Sequence, residues 1–187
     1  MAETQVSLGA LEIDGLARGY AAADAALKRA PVQILWAGSV TPGKYLLFLR
    51  GHVAETEEAL EAAARLADER VIDRLFLPQA HDELWLALGQ PRRFTMGAIG
   101  IIETLGAVAA LRAADAACKA ADVELSSLQL ARGIGGKGLF TLTGEQASVE
   151  AALDAAVSAL GDGALIERHL IARPHEGLPG FVFPTLV

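Results

Sequence analysis

Cysteine is almost missing from this chain of 187 residues. The single one, Cys118, excludes an intramolecular disulfide framework and any metal cage built only from cysteines of one chain. Positive charge is also scarce, because 16 Lys and Arg residues face 23 Asp and Glu residues, for a formal net charge of −7. Phosphate binding needs a basic surface, so this balance argues against a nucleic-acid-binding protein.

Long apolar runs are absent too. The best candidate, residues 96–111, is interrupted by Glu103 and falls short of the roughly 18 apolar residues of a membrane span. The first residues show no basic segment followed by an apolar one, so we expect neither secretion nor membrane insertion. With one cysteine, the chain fits the reducing cytoplasm. A hydrophobic fraction of 52% excludes a disordered chain.

What the chain does have is alanine, 37 residues of it, and an internal repeat. Residues 9–42 align with 100–133, residues 43–67 with 136–160, and residues 71–84 with 165–178, giving 26 identities in 73 positions. Alanine bias does not explain the matched pairs Gly15/Gly106, Asp24/Asp115, Lys28/Lys119, Gly43/Gly136, Lys44/Lys137, Gly51/Gly144 and His81/His175. The repeat indicates a tandem duplication, with domains at 1–91 and 96–187 and a linker at 91–95.

Each repeat predicts the same order of elements, βαββαβ. In the first repeat the pattern predicts strands at 6–13, 32–40, 45–49 and 71–77, helices at 16–30 and 54–68, and a short closing helix at 81–88. Pro31 ends the first helix, and residues 41–44 (Thr-Pro-Gly-Lys) form the turn of a hairpin. The fold class is therefore α+β, a four-stranded antiparallel sheet with two helices on one face, of ferredoxin-like form.

Both predicted helices show helical spacing of apolar residues. In the first, the spaced positions are Leu16, Tyr20, Ala23 and Leu27, and in the second they are Ala59, Leu60, Ala63 and Leu66. The second helix also carries acidic residues on its other side, a face that is either solvated or turned towards cargo. Since alanine buries little area, a repeat of this size has a thin core, and we expect oligomerisation to stabilise it.

Four segments carry a family resemblance: GIIETLG, AADAACKAADVEL, GIGGKGLFTLTGE and IARPHEGL. Together they resemble the bacterial microcompartment shell domain, and the duplication makes the chain similar to the tandem, trimer-forming class (BMC-T), most of all its propanediol-utilisation T type. The resemblance implies a non-enzymatic homotrimer without a cofactor. Such trimers tile, with other hexameric and pentameric tiles, into a shell within the cytoplasm that can surround enzymes, and they carry a central pore for small polar metabolites.

The resemblance also assigns residues. The implied pore rim is Ser39, Val40, Thr41, Pro42 and Gly43 of the first repeat, with Gly133, Ile134, Gly135 and Gly136 of the second; Thr41 is expected nearest the axis. The implied tile-edge residues are Lys28, Lys119, Arg173, His175 and His81. The Arg-Pro-His sequence is intact at 173–175, but the first repeat has Gln79-Ala80-His81, so we expect the two halves to make unequal edge contacts.

Two other functions stay open at this point. One is an electron-transfer tile with an iron–sulfur cluster in the pore. It is disfavoured because Thr41 stands where such members have cysteine, and a hydroxyl cannot replace a thiolate on a soft cluster. The other is a nucleotide-binding or ligand-sensing enzyme domain, since residues 133–138 satisfy G-x-G-x-x-G. These glycines, however, precede a predicted strand at 139–143 rather than a helix.

The remaining chemistry-bearing residues have structural interpretations. His52, His81, His169 and His175 lack the spacing of a helical metal site, and no metal ligands are predicted. Glu12 and Glu103 are matched between the repeats, with no nucleophile nearby in sequence, so we interpret them as structural. Cys118, which replaces Leu27 of the first repeat, is predicted to be a small core residue.

Overall fold

The structure, a computed structural model, describes residues 6–89 and 97–178. It divides into two compact units that nearly follow the repeats. Unit 1 comprises the described residues up to Ala80 together with Ala131–Gly136, and unit 2 comprises His81–Leu130 and the residues from Lys137 onwards. The domains were predicted at 1–91 and 96–187. Relative to them, the segment that begins at His81 belongs to unit 2, and Ala131–Gly136 belongs to unit 1. The predicted linker at 91–95 lies outside the described residues.

Unit 1 has the predicted order of elements. These are β1 (Val6–Asp14), α1 (Leu16–Arg29), β2 (Gln33–Val40), β3 (Lys44–His52), α2 (Val53–Ala67) and β4 (Val71–Leu77). A 3₁₀ turn at Asp68–Arg70 leads into β4. The strands pair in the order β2-β3-β1-β4, and every neighbouring pair is antiparallel. The predicted α+β class and the ferredoxin-like topology are confirmed.

Unit 2 repeats this architecture and adds one helix before it. Its elements are α3 (Asp82–Gly89), β5 (Ala98–Thr104), α4 (Ala107–Ala120), β6 (Glu124–Leu130), β7 (Gly138–Gly144), α5 (Gln146–Ser158) and β8 (Leu165–Ile171). The strand order is β6-β7-β5-β8, again antiparallel. Even the register shifts recur at matched positions, between Ile34 and Trp36 in β2 and between Leu125 and Ser127 in β6. The duplication is therefore preserved down to local irregularities of the strands.

The helix predicted from the spacing of Leu16, Tyr20, Ala23 and Leu27 is present as α1, but these four residues do not form its buried face. Tyr20 is 63% exposed and Leu27 51% exposed, and of the four only Ala23 is buried. The residues of α1 buried in unit 1 are small: Gly19, Ala22, Ala23 and Ala26. The face predicted for α2 is correct at Ala59, Leu60 and Ala63, which are fully buried, and Leu66 is partly buried. Small residues face the sheet on α1 because a large ring rises from the sheet beneath it.

That ring is Tyr45 of β3. A Cβ atom added to Gly19 would lie only 2.1 Å from Tyr45 Cγ, so glycine alone lets the helix lie over the ring. Burial raises the pKa of Tyr45, and the nearby Tyr20 adds to that rise. Unit 2 has the opposite arrangement at the matched positions, with Ala110 on α4 and Gly138 on β7, where an added Cβ would lie 2.4 Å from the Ala110 methyl. In unit 1 the glycine is on the helix and the larger residue on the strand, whereas in unit 2 the glycine is on the strand and the larger residue on the helix.

Candidate functional site: the turn between β2 and β3 and a glycine-rich loop

The predicted pore-rim residues of the first repeat form the turn between β2 and β3. Gly43 has φ +98°, and its N–H donates to the carbonyl of Val40 at 2.9 Å. The glycine-rich loop Ala131–Gly136 lies against this turn within unit 1. Gly136 has φ +84°, and an added Cβ would lie 2.7 Å from both the Thr41 carbonyl oxygen and Pro42 Cδ. Any other residue at 136 would therefore push the loop away from the turn.

Turn and loop together line an open cleft of about 590 Å³. Its lining residues are Leu16, Ser39, Val40, Thr41, Pro42, Gly43, Arg132 and Gly133. The structure thus brings the five predicted turn residues together with Gly133, whereas Ile134, Gly135 and Gly136 do not line the cleft. Sequence reasoning missed Leu16 and Arg132. Arg132 directly precedes the glycine-rich segment, a signal that could have found it, but nothing in the sequence pointed to Leu16.

The donors in this cleft are hard and polar. Ser39 and Thr41 carry hydroxyls and Arg132 a guanidinium. An iron–sulfur cluster takes thiolates, and the only cysteine, Cys118, is buried on α4 in unit 2. No group of three or more His, Cys, Asp or Glu residues that could hold a metal occurs within residues 6–89 and 97–178. The residues of the cleft therefore do not fit a cluster.

The predicted tile-edge lysines lie in the last turns of their helices, Lys28 on α1 and Lys119 on α4. Lys28 Nζ lies 2.6 Å from Asp24 on α1, and Lys119 Nζ lies 2.6 Å from Asp115 on α4. The first pair is exposed on both sides, but the Asp115 side chain is only 5% exposed. Ammonium groups in the last turn of a helix are favoured by the helix dipole. Duplicated lysines therefore occupy matched places with different surroundings.

The predicted tile-edge histidines occupy the same kind of turn in different surroundings. The backbone N–H of His81 donates to Asp115 Oδ1 at 2.8 Å within unit 2, so this histidine is attached to α4. His175 and Arg173 are exposed after β8. These contacts explain why Asp115 is buried while its counterpart Asp24 is not.

Among the described residues, no helix is both long enough and apolar enough to cross a membrane. A family model described as the BMC domain matches residues 7–80 and again 98–174, which is most of the chain. The chain belongs to the bacterial microcompartment shell protein family.

The similar proteins agree with two BMC domains in tandem. The chain is 37% identical over 174 residues to the bacterial microcompartment shell protein PduT of Citrobacter freundii, covering 92% of this chain and 95% of that protein. A solved microcompartment protein of Desulfitobacterium hafniense is similar in structure, with a TM-score of 0.82 and 38% identity over 93% of this chain and 98% of that one. The carboxysome shell protein CsoS1A of Hydrogenovibrio crunogenus is 45% identical over 82 residues, covering 42% of this chain and 82% of that protein.

Each BMC domain also repeats an ion pair between its first strand and a lysine at its third strand, of which Lys44 is the first residue and which Lys137 directly precedes. Lys44 Nζ lies 2.7 Å from Glu12 Oε1, and Lys137 Nζ lies 2.7 Å from Glu103 Oε1. The two carboxylates for which sequence offered only a structural interpretation are therefore each held by a duplicated lysine. The environments differ, because the Glu12 side chain is fully buried and that of Glu103 is 30% exposed.

A second duplicated pair joins the last strand to the second helix. Arg74 Nη1 lies 2.7 Å from Glu61 Oε2 in unit 1, and Arg168 Nη1 lies 2.6 Å from Asp154 Oδ1 in unit 2. The hydrogen bond from Arg74 lowers the pKa of the Glu61 carboxyl. Both carboxylates are substantially exposed, so these pairs fix orientation more than they add stability.

Proposed function

We propose that this BMC protein is a non-enzymatic homotrimeric tile of a microcompartment shell, with a central pore for small polar metabolites. The observation that carries the proposal is the packing of the Thr41–Gly43 turn against the loop Ala131–Gly136, which joins one segment from each repeat around a single cleft. Three chains would supply three turns and three loops around a threefold axis, the sixfold-like ring that a duplicated domain permits.

The chemistry of the cleft sets the class of solute. Ser39 and Thr41 offer hydroxyl donors and acceptors, and Arg132 adds a positive charge, so small polar molecules suit this lining better than apolar ones. No cofactor is required for passage. The protein would assemble with itself and with other hexameric and pentameric shell tiles around enclosed enzymes. Lys28, Lys119, Arg173, His175 and His81 would contribute to the tile edges.

The first test is the oligomeric state, followed by the position of residue 41. Light scattering should give a trimer at micromolar concentration. In a Cys118→Ala background, Thr41→Cys should then place three thiols around the axis, where mild oxidation can join only two of the three chains. We expect covalent dimers on a denaturing gel, with about one chain in three left unjoined.

The matched control is Glu58→Cys, an exposed position on α2, which should give no covalent dimers from the same trimer. A stable monomer would overturn the shell-tile proposal. A trimer whose Thr41→Cys variant stays unjoined would leave the tile standing but remove residue 41 from the axis, and with it the proposed pore rim.

A further inference from the structure

Arg132 carries a positive charge that has no partner among the described residues. It lies in the loop Ala131–Gly136 and is exposed, and among the described residues that line the cleft it alone is charged. Within residues 6–89 and 97–178, no carboxylate forms an ion pair with it. The hydroxyls of Ser39 and Thr41 line the same cleft. The cleft therefore offers a guanidinium and two hydroxyls as hydrogen-bond donors, without a carboxylate to receive them.

The two lysines next to the turn and the loop are already neutralised. Lys44, which follows the turn, lies 2.7 Å from Glu12, and Lys137, which follows the loop, lies 2.7 Å from Glu103. Each of these ion pairs adds no net charge to its surroundings. Arg132 therefore makes the cleft locally positive, although the chain as a whole carries a net charge of −7.

The internal repeat gives Arg132 a counterpart at the turn. Residues 9–42 align with 100–133, so Arg132 occupies in the second repeat the place that Thr41 has in the first. Thr41 directly follows β2, and Arg132 follows β6 after one residue. Gly136 keeps the loop against the turn, because an added Cβ would lie 2.7 Å from the Thr41 carbonyl oxygen. Around the proposed threefold axis, three guanidinium groups would therefore alternate with three threonine hydroxyls.

We infer that the three Arg132 side chains of a trimer form one shared binding site for a small oxyanion, a carboxylate or a phosphate, at the proposed pore. This inference rests on the proposed homotrimer and names the class of solute that its pore admits. The planar guanidinium presents parallel N–H donors to a carboxylate or phosphate, and the neighbouring hydroxyls can donate to the remaining oxygens. Three like charges around one opening repel one another, and an anion between them offsets that repulsion.

The consequence is that anions enter the pore in preference to neutral or cationic solutes of the same size. A cleft of one charge sign raises the local concentration of ions of the opposite sign, and salt at 0.1 M screens this attraction over about 10 Å. The preference depends on one residue of each chain, because Thr41, the counterpart of Arg132, is uncharged. One substitution should therefore remove it.

The first test measures the electrostatic potential at residue 41 with charged thiol reagents. In a Cys118→Ala background, the reduced Thr41→Cys trimer is reacted with an anionic methanethiosulfonate (the sulfonatoethyl reagent) and with a cationic one (the trimethylammonioethyl reagent). The ratio of the two rates cancels the intrinsic reactivity of the thiol. We expect the anionic reagent to be favoured, and Arg132→Gln should lower the ratio about tenfold or more.

Two variants and a second position serve as controls for this ratio. Arg132→Lys keeps the charge and should keep the ratio high. Arg65→Gln removes an exposed cation from α2, with the same change in net charge as Arg132→Gln, and should leave the ratio unchanged. At Glu58→Cys, an exposed position on α2, the ratio should not respond to Arg132→Gln.

The second test is a calorimetric titration at low salt, which identifies the ligand class. Trimetaphosphate and citrate are trivalent anions, and one of either should bind per trimer, whereas neutral glucose should not bind. Competition by acetate and by inorganic phosphate then shows whether a carboxylate or a phosphate is preferred. Arg132→Gln should abolish binding. Arg132→Lys should weaken it, because an ammonium lacks the planar fork of the guanidinium.

The outcomes separate the anion site from the shell tile. A rate ratio that Arg132→Gln leaves unchanged, no anion binding, or one anion bound per chain instead of one per trimer would each overturn the shared site and leave the shell tile intact. A wild-type monomer overturns both.

Discussion

Thr56 is a buried hydroxyl that the fold does not use. Among the described residues it is the one whose buried side-chain oxygen has no hydrogen-bond partner, and its counterpart in the second domain is Val149, also fully buried. Thr56→Val should therefore raise the free energy of unfolding by about 1 kcal/mol, measured by urea denaturation. Thr141→Val is the control. It removes a hydroxyl bonded to Ser127 at 2.7 Å and should lower stability instead. A destabilised Thr56→Val would contradict the interpretation.

The two strand-joining lysines offer a comparison within one chain. Lys44→Met should lower the free energy of unfolding by about 3 kcal/mol, because it leaves the fully buried Glu12 carboxylate without this partner. Lys137→Met should lower it by less than about 1 kcal/mol, since Glu103 is partly in water. Calorimetric or urea unfolding of the two variants would check the difference. Equal losses would mean that burial of the carboxylate is not what sets the cost.

At the level of elements, the contact between α1 and β3 is coupled. Gly19→Ala should cost about 2 kcal/mol or more, because the new methyl would clash with the Tyr45 ring unless helix or ring moves. The double variant with Tyr45→Gly reproduces the Ala110–Gly138 arrangement of unit 2, so it should lose less stability than the two single changes added together. Additive losses in urea unfolding would show that the two residues act independently.

The positions of the helices and strands could be predicted from the sequence, but the side of each helix that is buried could not always be predicted. Pro31, the turn residues at 41–44 and the duplication predicted every strand and helix of unit 1 to within a few residues. The buried face of α1 could not be read from its large apolar residues, because that face has to be small to clear Tyr45, a contact across 26 positions of sequence. Helical spacing reports which residues share a face, and it does not report which face meets the sheet.

Part of the candidate site could likewise be predicted from the sequence, and part could not. The glycine-rich segment and the proline turn were predicted to belong together because both matched one family pattern. Arg132 and Leu16 were missed since their place in the cleft depends on how the loop lies against unit 1. The ion-pair partners of Glu12 and Glu103 could not be predicted from the sequence either. They depend on the register of the first strand against the third, where Asp14 pairs with Lys44 and Thr104 with Gly138.

For the whole molecule, the edge lysines predict an effect on assembly alone. Lys28→Ala with Lys119→Ala should leave the trimer folded. The exposed Lys28–Asp24 pair contributes only about 0.3–0.5 kcal/mol, and the nearly buried Asp115 keeps its hydrogen bond from the His81 backbone N–H when Lys119 is truncated. Sheets or shells of tiles seen by electron microscopy should become sparse or absent. Arg65→Ala, which removes an equally exposed cation from α2, should not affect them. Unchanged sheets from the double variant would refute the edge role.

The exchange of segments between the two units has a consequence for how the chain is made. During synthesis α3 leaves the ribosome before β6 and α4, on which it is to rest, and a free helix of eight residues is marginal in water. The first unit is likewise incomplete until Ala131–Gly136 have been synthesised, some fifty residues after Ala80. Neither half is complete when the first repeat has been translated, so a gene cut at the repeat boundary would yield two fragments that each lack a piece carried by the other.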